Sequence, residues 1–387
     1  MDVKPSVPCA GPSAQVKNAQ RRWTTYLTYG CKPHFFVVLA VATIILLVVF
    51  IVTPGRNVQP DRDCCPCSKT ARVVFHVNPA DGSGNKPHAT VVGREFGKTM
   101  SRDPGPHIFM VTAPGEDLTD RQVCSVESAA LHHPGHNVHL LLLNQSSDTG
   151  TVVDAARITH LSHITNVRLW HIDTADVFRG SPLQHWYQHG YPTADPSHIT
   201  DAVKVLLLWF FGGVVLDANF IVQKTLTHDI INSTVVEDGN GFPTTHILSF
   251  QKNSTFLSTW MEIFQTNYNV YDALDAGSVV LMRSIRSVCN VSALDEVSTS
   301  GCKLTVIKAK YFFPVHQKEA TDIFQSGRYM TPLVRNSFAV WLWNDGVRIS
   351  NRRKGSSLYR ELMKDNCPKM RFEHGIYVYK GGLHNEM

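Results

Sequence analysis

Beyond its first 34 residues, the 387-residue sequence lacks the excess positive charge that a nucleic-acid-binding protein needs. The net charge is +5, and most of it sits in Lys4, Lys17, Arg21, Arg22 and Lys32, opposed there only by Asp2. The remainder is close to neutral, which excludes a basic footprint for nucleic acid. No Walker-type phosphate loop is present. Gly82-Ser-Gly84 does not extend into a dinucleotide fingerprint, because Pro87 stands in the third-glycine position. No histidine or fourth cysteine at zinc spacing accompanies Cys64, Cys65 and Cys67, so these point to disulfides. Neither an internal repeat nor a long low-complexity tract occurs. With 43% hydrophobic residues, the chain has the makings of one large α/β domain or two smaller ones.

One uninterrupted apolar run is present. Phe35–Thr53 carries no charge, glycine or proline, and its length suits a helix across a bilayer. A cleaved leader would be shorter and would lie nearer the start. The basic flank keeps residues 1–34 cytoplasmic and sends residues 54–387 across the membrane. Four glycosylation motifs agree, starting at Asn144, Asn232, Asn253 and Asn290, all beyond the run. The organisation expected is a tail (1–34), an anchor (35–53), a stem and a loose, partly ordered lead-in (54–106), and a folded domain (107–387). Cys9 and Cys31 fall in the tail. Of the four cysteines in the domain, Cys289 and Cys302 close a short loop and form the one pairing that spacing suggests.

Strands are expected at Ile108–Thr112, Asn137–Leu143 and Val167–Ile172. Helices are expected at Ser125–His132, Val152–His160 and Asp176–Tyr187. Such alternation gives an α/β fold with a mainly parallel sheet and helices on both faces. The segment Ser197–Leu226 is the most informative. Thr200 or Asp201 is expected to cap a helix whose inner face holds Ala202, Val205, Leu206 and Trp209. Gly212-Gly213 ends that helix, and Val214–Leu216 forms a buried strand. Asp217 and Asn219, at i and i+2, would project together from the strand's carboxyl end, where open α/β sheets bind ligands. The same residues are equally consistent with a buried αβ unit whose Asp caps a turn.

This segment resembles the DxD region of sugar-nucleotide glycosyltransferases, and further stretches resemble α-1,4-glycosyltransferases of glycosyltransferase family 32. They are Cys124–Ala130, Asn166–Trp170, Phe178–Trp186, Gly277–Arg283, Tyr311–Pro314 and Phe338–Asn344. The likeness runs from about His107 to Pro368. It implies a Rossmann-like fold of the GT-A kind, a UDP-sugar donor, Mn²⁺ or Mg²⁺, and retaining transfer to a glycolipid or glycoprotein. It also implies a single-pass type II protein of the Golgi membrane, with a second transferase as a partner open to it. Asp201, Lys204, Gly213, Asp217, Asn219, Gly277 and Asn344 would bind the donor, with Asp217 and Asn219 on the metal. No catalytic nucleophile is implied. Asp272 and Asp275 could contact sugar, although solvated loop carboxylates are the commoner state. The chain departs from the family pattern at Thr112, Lys204, Val215, Asn219, Ser278, Met282 and Trp341. The second acidic residue of DxD is Asn219, and the histidine of an AVHxWN-like strand is Trp341. A membrane-anchored, non-catalytic glycan-binding protein is the alternative function.

Overall fold

The computed structural model describes residues 91–92, 96–103, 105–144, 155–190, 195–227, 234–268, 277–324, 331–343, 357–373 and 376–379. The tail, the Phe35–Thr53 run, the stem cysteines, Asn232, Asp272, Asp275 and Asn344 lie outside them. Among the described residues no helix is long and apolar enough to cross a membrane.

In chain order the strands are β1 (Val91–Val92), β2 (His107–Val111), β3 (Asn137–Asn144), β4 (Val167–Asp173), β5 (Gly213–Leu216) and β6 (Phe220–Val222). They continue with β7 (Thr234–Glu237), β8 (Pro243–Phe250), β9 (Thr305–Ile307), β10 (Ala339–Trp341), β11 (Met370–Glu373) and β12 (Ile376–Tyr379). The α-helices are α1 (Phe96–Arg102), α2 (Asp120–His132), α3 (Ala155–Ser162), α4 (Thr174–Phe178) and α5 (Gln184–Gly190). After these come α6 (Pro196–Phe211), α7 (Thr255–Asn267), α8 (Ser278–Cys289), α9 (Thr331–Val334) and α10 (Leu358–Asn366).

Eight strands form one sheet in the order β1-β4-β3-β2-β5-β8-β7-β9. The first five are parallel, β8 runs antiparallel to β5 and β7, and β9 is parallel to β7. The fold is thus α/β with a mainly parallel sheet, as the alternation of elements requires. Strand alternation divides the core in two. Ile108, Met110, Leu140, Leu142, Val214 and Leu216 pack on one face with α2, α10, β6 and β10. Phe109, Val111, Leu141, Leu143 and Val215 pack on the other with α6, α7 and α8. Both faces are covered, so Ile108–Val111 of β2 and Leu140–Leu143 of β3 read as unbroken apolar runs.

Three local readings are corrected. Helix α6 starts at Pro196, a turn before Thr200, and Asp195 caps it by accepting from Ser197 N–H at 2.8 Å. Proline suits that first position because no intrahelical partner awaits its missing N–H. Asp201 therefore lies inside the helix. Nor does α6 have one apolar face: Ala202 through Leu208 are all buried, because α6 lies within one of the two cores. Trp209 is only partly buried, its indole N–H donating to Ser258 Oγ at 3.0 Å, whereas Trp260 on α7 is fully buried. The expected helix at Asp176–Tyr187 is two helices, α4 and α5, interrupted at Gly180-Ser181-Pro182 with Gly180 at φ 72°. The lead-in contributes structure too: β1 pairs with β4, and Phe96 on α1 packs edge-on against Trp170 at 4.8 Å.

Two disulfides hold the described part. Cys289–Cys302 is the pair that spacing suggests, and Cys124–Cys367 joins α2 to the end of α10 across 243 residues. Asn253 and Asn290 occupy exposed left-handed positions at φ 57° and 52°, where asparagine is tolerated better than most residues. Asn144 ends β3 and is half-buried.

The amino ends of β2 and β3 carry a buried histidine pair. The Trp170 indole N–H donates to His139 Nδ1 at 3.0 Å, which leaves the proton on His139 Nε2 to donate to His107 Nδ1 at 3.1 Å. Burial, with His107 and Arg168 nearby, lowers the His139 pKa to about 3. The unfolded chain takes up that proton near pH 6.5. Between these values the unfolded state binds more protons, so stability rises with pH and is lost on acidification. His139 alone is expected to remove about 2 kcal/mol between pH 7 and pH 5. Denaturant unfolding at the two pH values, with His139→Gln as the comparison, measures this. The variant should show a flatter dependence, and equal slopes would place the acid sensitivity elsewhere.

Candidate donor site

The chain lays down β2, β3 and β4 in one direction and then returns to place β5 on the other side of β2. This reversal makes a switch point between the carboxyl ends of β2 and β5, the crevice where such sheets bind ligands. Thr112 follows β2 there, and Asp217 follows β5.

Glycine at 213 makes the β2–β5 pairing possible. Its φ is 111°, and a Cβ there would come within 2.5 Å of the His107 carbonyl oxygen. Gly213 is therefore a packing residue at the amino end of β5, the opposite end from Asp217, and not part of the donor crevice. Asp217 and Asn219 do meet, but through a turn and not by strand alternation. Phe220 N–H donates to Asp217 O at 3.2 Å, and Asp217 Oδ1 accepts from Asn219 N–H at 3.2 Å and Asn219 Nδ2 at 3.1 Å.

The other Asp217 oxygen faces positive charge. Lys204 Nζ, on α6, lies 3.2 Å from Asp217 Oδ2 and 3.3 Å from Asp201 Oδ1. The Lys204 side chain is 3% exposed, so the two carboxylates are what keep an ammonium stable in the interior. Burial pushes the Lys204 pKa down, but Asp217 and Asp201 outweigh it and hold the group above its ordinary value. Burial likewise pushes Asp217 up, yet the Lys204 charge and His246 hold its carboxyl well below the usual range. Asp217 is thus ionised at any physiological pH.

Two further side chains complete the cluster, and nothing in the local sequence marks either of them. Thr245 Oγ1 donates to Asp201 Oδ1 at 2.8 Å, and His246 Nδ1 lies 3.3 Å from Asp217 Oδ2. They arrive because β8 runs antiparallel to β5, with Asp217 N–H bonded to the His246 carbonyl at 2.8 Å. Local patterning carries no signal for such a cross-strand neighbour. The ring of His246 stacks on Trp341 of β10, with centroids 4.2 Å apart.

Gly277 precedes α8 and adopts φ 63°, and a Cβ on it would lie 2.6 Å from Asp201 Oδ2. The start of α8, with its unpaired N–H groups and partial positive charge, therefore lies against this cluster. Gly277→Ala is expected to cost about 1–3 kcal/mol for a backbone at φ 63° and ψ −119° alone and to displace Asp201 from Lys204. Thermal unfolding together with UDP titration checks both effects. Unchanged stability and unchanged UDP affinity would show that the close approach is unimportant. Of the expected donor-site residues, Asp201, Lys204, Asp217, Asn219 and Gly277 thus come together, Gly213 does not, and Asn344 is outside the described residues.

A second group of metal-ligand types, Asp103, His107 and His139, clusters at the amino ends of β2 and β3, the opposite edge of the sheet. Its atoms are engaged with one another and with Trp170, Gly105 and Asn137.

Residues 249–372, which include the end of β8, α7, α8 and β10, match the model of the "Alpha 1,4-glycosyltransferase conserved region". The chain is a relative of the α-1,4-glycosyltransferases. Lactosylceramide 4-alpha-galactosyltransferase of Mus musculus is 28% identical over 274 residues, covering 68% of this chain and 75% of that one. The Rattus norvegicus enzyme of the same name is 29% identical over 275 residues, covering 68% and 74%. Alpha-1,4-N-acetylglucosaminyltransferase of Homo sapiens is 24% identical over 272 residues, covering 68% and 78%. Among solved structures, the PaToxG glycosyltransferase matches at 15% identity over 50% of this chain and 74% of its own, with a TM-score of 0.38. The galactosyltransferase LgtC, in complex with donor and acceptor sugar analogs, matches at 11% identity over 68% of this chain and 95% of its own, with a TM-score of 0.29. In this α-1,4-glycosyltransferase relative, the matched region supplies Gly277 and Trp341, and the segment N-terminal to it supplies Asp201, Lys204, Asp217, Asn219 and His246.

Proposed function

We propose that the protein transfers a hexose or N-acetylhexosamine from a UDP-sugar, with retention, to the 4-position of a terminal sugar on a glycolipid or glycoprotein. The observation that carries this reading is the Asp201–Lys204–Asp217 ion cluster at the β2/β5 switch point, beside the start of α8. The similarity to α-1,4-galactosyl- and α-1,4-N-acetylglucosaminyltransferases supports it.

The residues suit a divalent cation of the Mn²⁺ or Mg²⁺ kind. Asp217 offers a charged oxygen, and Asn219 Oδ1 is buried without a hydrogen-bond partner. Two carboxylates against one ammonium leave the cluster net negative, which a diphosphate alone would not favour. A bound cation would offset the charge of the departing diphosphate. The protein's own groups do the positioning. Lys204 fixes Asp217 and Asp201, Thr245 fixes Asp201 further, and the start of α8 adds partial positive charge. Retaining transfer can proceed by front-face attack within the donor complex, and no enzyme nucleophile is assigned.

The same reading places the protein in the Golgi membrane as a single-pass type II chain, either alone or with a partner transferase. The two disulfides and the exposed Asn253 and Asn290 agree with an oxidising lumen. A non-catalytic glycan-binding role stays as the second reading, because Lys204 already neutralises much of the charge that a metal would meet.

Incubating the purified full chain with UDP-galactose, UDP-N-acetylgalactosamine or UDP-N-acetylglucosamine and a terminal galactoside, with and without Mn²⁺, distinguishes the two. An α-1,4-linked product supports transfer. UDP-sugar binding with no product and no UDP release supports the binding role.

A further inference from the structure

We infer that His246 is a cation ligand of this site, completing a nitrogen–oxygen set with Asp217 and Asn219 that prefers Mn²⁺ to Mg²⁺. The inference rests on the donor-site reading above and deepens it.

Three observations carry it. First, His246 Nδ1 and Asp217 Oδ2 lie 3.3 Å apart. Neighbouring ligands on one cation are roughly 3 Å apart when each bond is about 2.1 Å, so the pair already has ligand spacing. Second, Asn219 donates to Asp217 through Nδ2 at 3.1 Å while its Oδ1 is buried with no partner. A half-turn of that amide would exchange the two atoms, giving up the Nδ2 bond to Asp217 and turning an oxygen toward a cation held there. Third, His246 is held in place and yet accessible. Its side chain is 40% exposed, and its ring stacks on Trp341 at 4.2 Å with an interplanar angle of 29°. A fixed ring with an open edge is what a ligating imidazole needs.

The chemistry sets the preference. Asp217 is the one carboxylate in the set, since His246 and Asn219 both lie against it, whereas Asp201 bonds Lys204 and Thr245. Mg²⁺ and Ca²⁺ are held by oxygen ligands and gain little from an imidazole. Mn²⁺ accepts both oxygen and imidazole nitrogen, and the donor diphosphate would complete its shell. Trp341, which occupies the position where the resemblance places a histidine, supports the ring of His246 in this arrangement.

The test is electron paramagnetic resonance of Mn²⁺ titrated into the purified full chain with saturating UDP, with UDP affinity measured separately in EDTA. Wild-type protein should bind Mn²⁺ and show coupling to a directly bound imidazole nitrogen, and Mg²⁺ should compete weakly. His246→Ala should lose that coupling and bind Mn²⁺ at least about tenfold more weakly, with an unchanged melting temperature in EDTA. His246→Asp should retain Mn²⁺, lose the nitrogen signal and bind Mg²⁺ more tightly than wild type does. If UDP binds, with Mn²⁺ or in EDTA, but bound Mn²⁺ shows no nitrogen coupling, or binds His246→Ala equally well, the inference fails and the donor-site reading stands. If neither UDP nor Mn²⁺ binds the wild-type protein, both fail. The spectroscopic signature decides the matter in wild-type protein even if a variant does not fold.

Discussion

Asp217→Ala is expected to destabilise the fold by about 3 kcal/mol as well as to abolish UDP binding. An edge carboxylate contributes little packing, so the sequence alone suggests a nearly intact fold. The structure changes that expectation. Asp217 is one of two carboxylates that hold Lys204, whose side chain is 3% exposed, and removing it strips a buried ammonium of half its compensation. Asp201 remains, so the cost falls at the lower end of the range for a broken buried pair. The sign of the linkage is open to test. The Asp217 pKa is depressed in the fold, so its contribution is present above the unfolded carboxylate pKa, near pH 4, and fades as pH falls below it. The double variant Asp217→Ala/Lys204→Met should recover part of the loss, because it removes the stranded ammonium and leaves Asp201 with its bond from Thr245. Denaturant unfolding of the single and double variants at pH 7 measures this. If the double variant is as unstable as the single one, the ion cluster is not what holds this region.

Removing the Cys124–Cys367 bridge is expected to have a larger effect. The bridge closes a loop of 243 residues and joins two side chains that are fully buried. Loop-closure entropy for that length corresponds to about 5 kcal/mol in the chain-entropy description. Cys289–Cys302, separated by 13 residues, corresponds to about 3 kcal/mol. The longer bridge also fastens α10 onto α2, next to the buried His160–Glu127 pair at 2.8 Å and the Lys369 N–H bond to Glu127. Paired Cys→Ala variants, compared by chemical unfolding under oxidising conditions, should rank in that order. A loss below about 1 kcal/mol for Cys124→Ala/Cys367→Ala would mean that the closure term is offset in the unfolded chain.

What was legible in the sequence follows from range. Strands β2 and β3 were readable because a parallel strand buried on both faces is apolar over most of its length, as Ile108–Val111 and Leu140–Leu143 show. The position of Asp217 was readable because Gly212-Gly213 marks a helix end, and the three residues after it are apolar. Thr200 and Asp201 look like caps, yet α6 starts a turn earlier, because Asp195-Pro196 is the stronger signal. Lys204 was expected in the site, but not as a buried ammonium between two carboxylates. That depends on α6 being buried all round, which no single-face pattern shows. Thr245 and His246 were invisible because antiparallel register with β5 is a non-local choice. Cys124–Cys367 escaped for the same reason, since 243 residues separate the partners.

The central claim is that the crevice around Asp217 receives a sugar nucleotide. Isothermal titration of UDP into the full chain, wild type against Asp217→Asn, tests it most directly, because asparagine keeps the shape and removes only the charge. The site described here predicts measurable UDP binding to the wild-type protein in the presence of Mn²⁺ and at least a tenfold loss in Asp217→Asn (about 1.4 kcal/mol). Equal UDP affinity in the two proteins would contradict it.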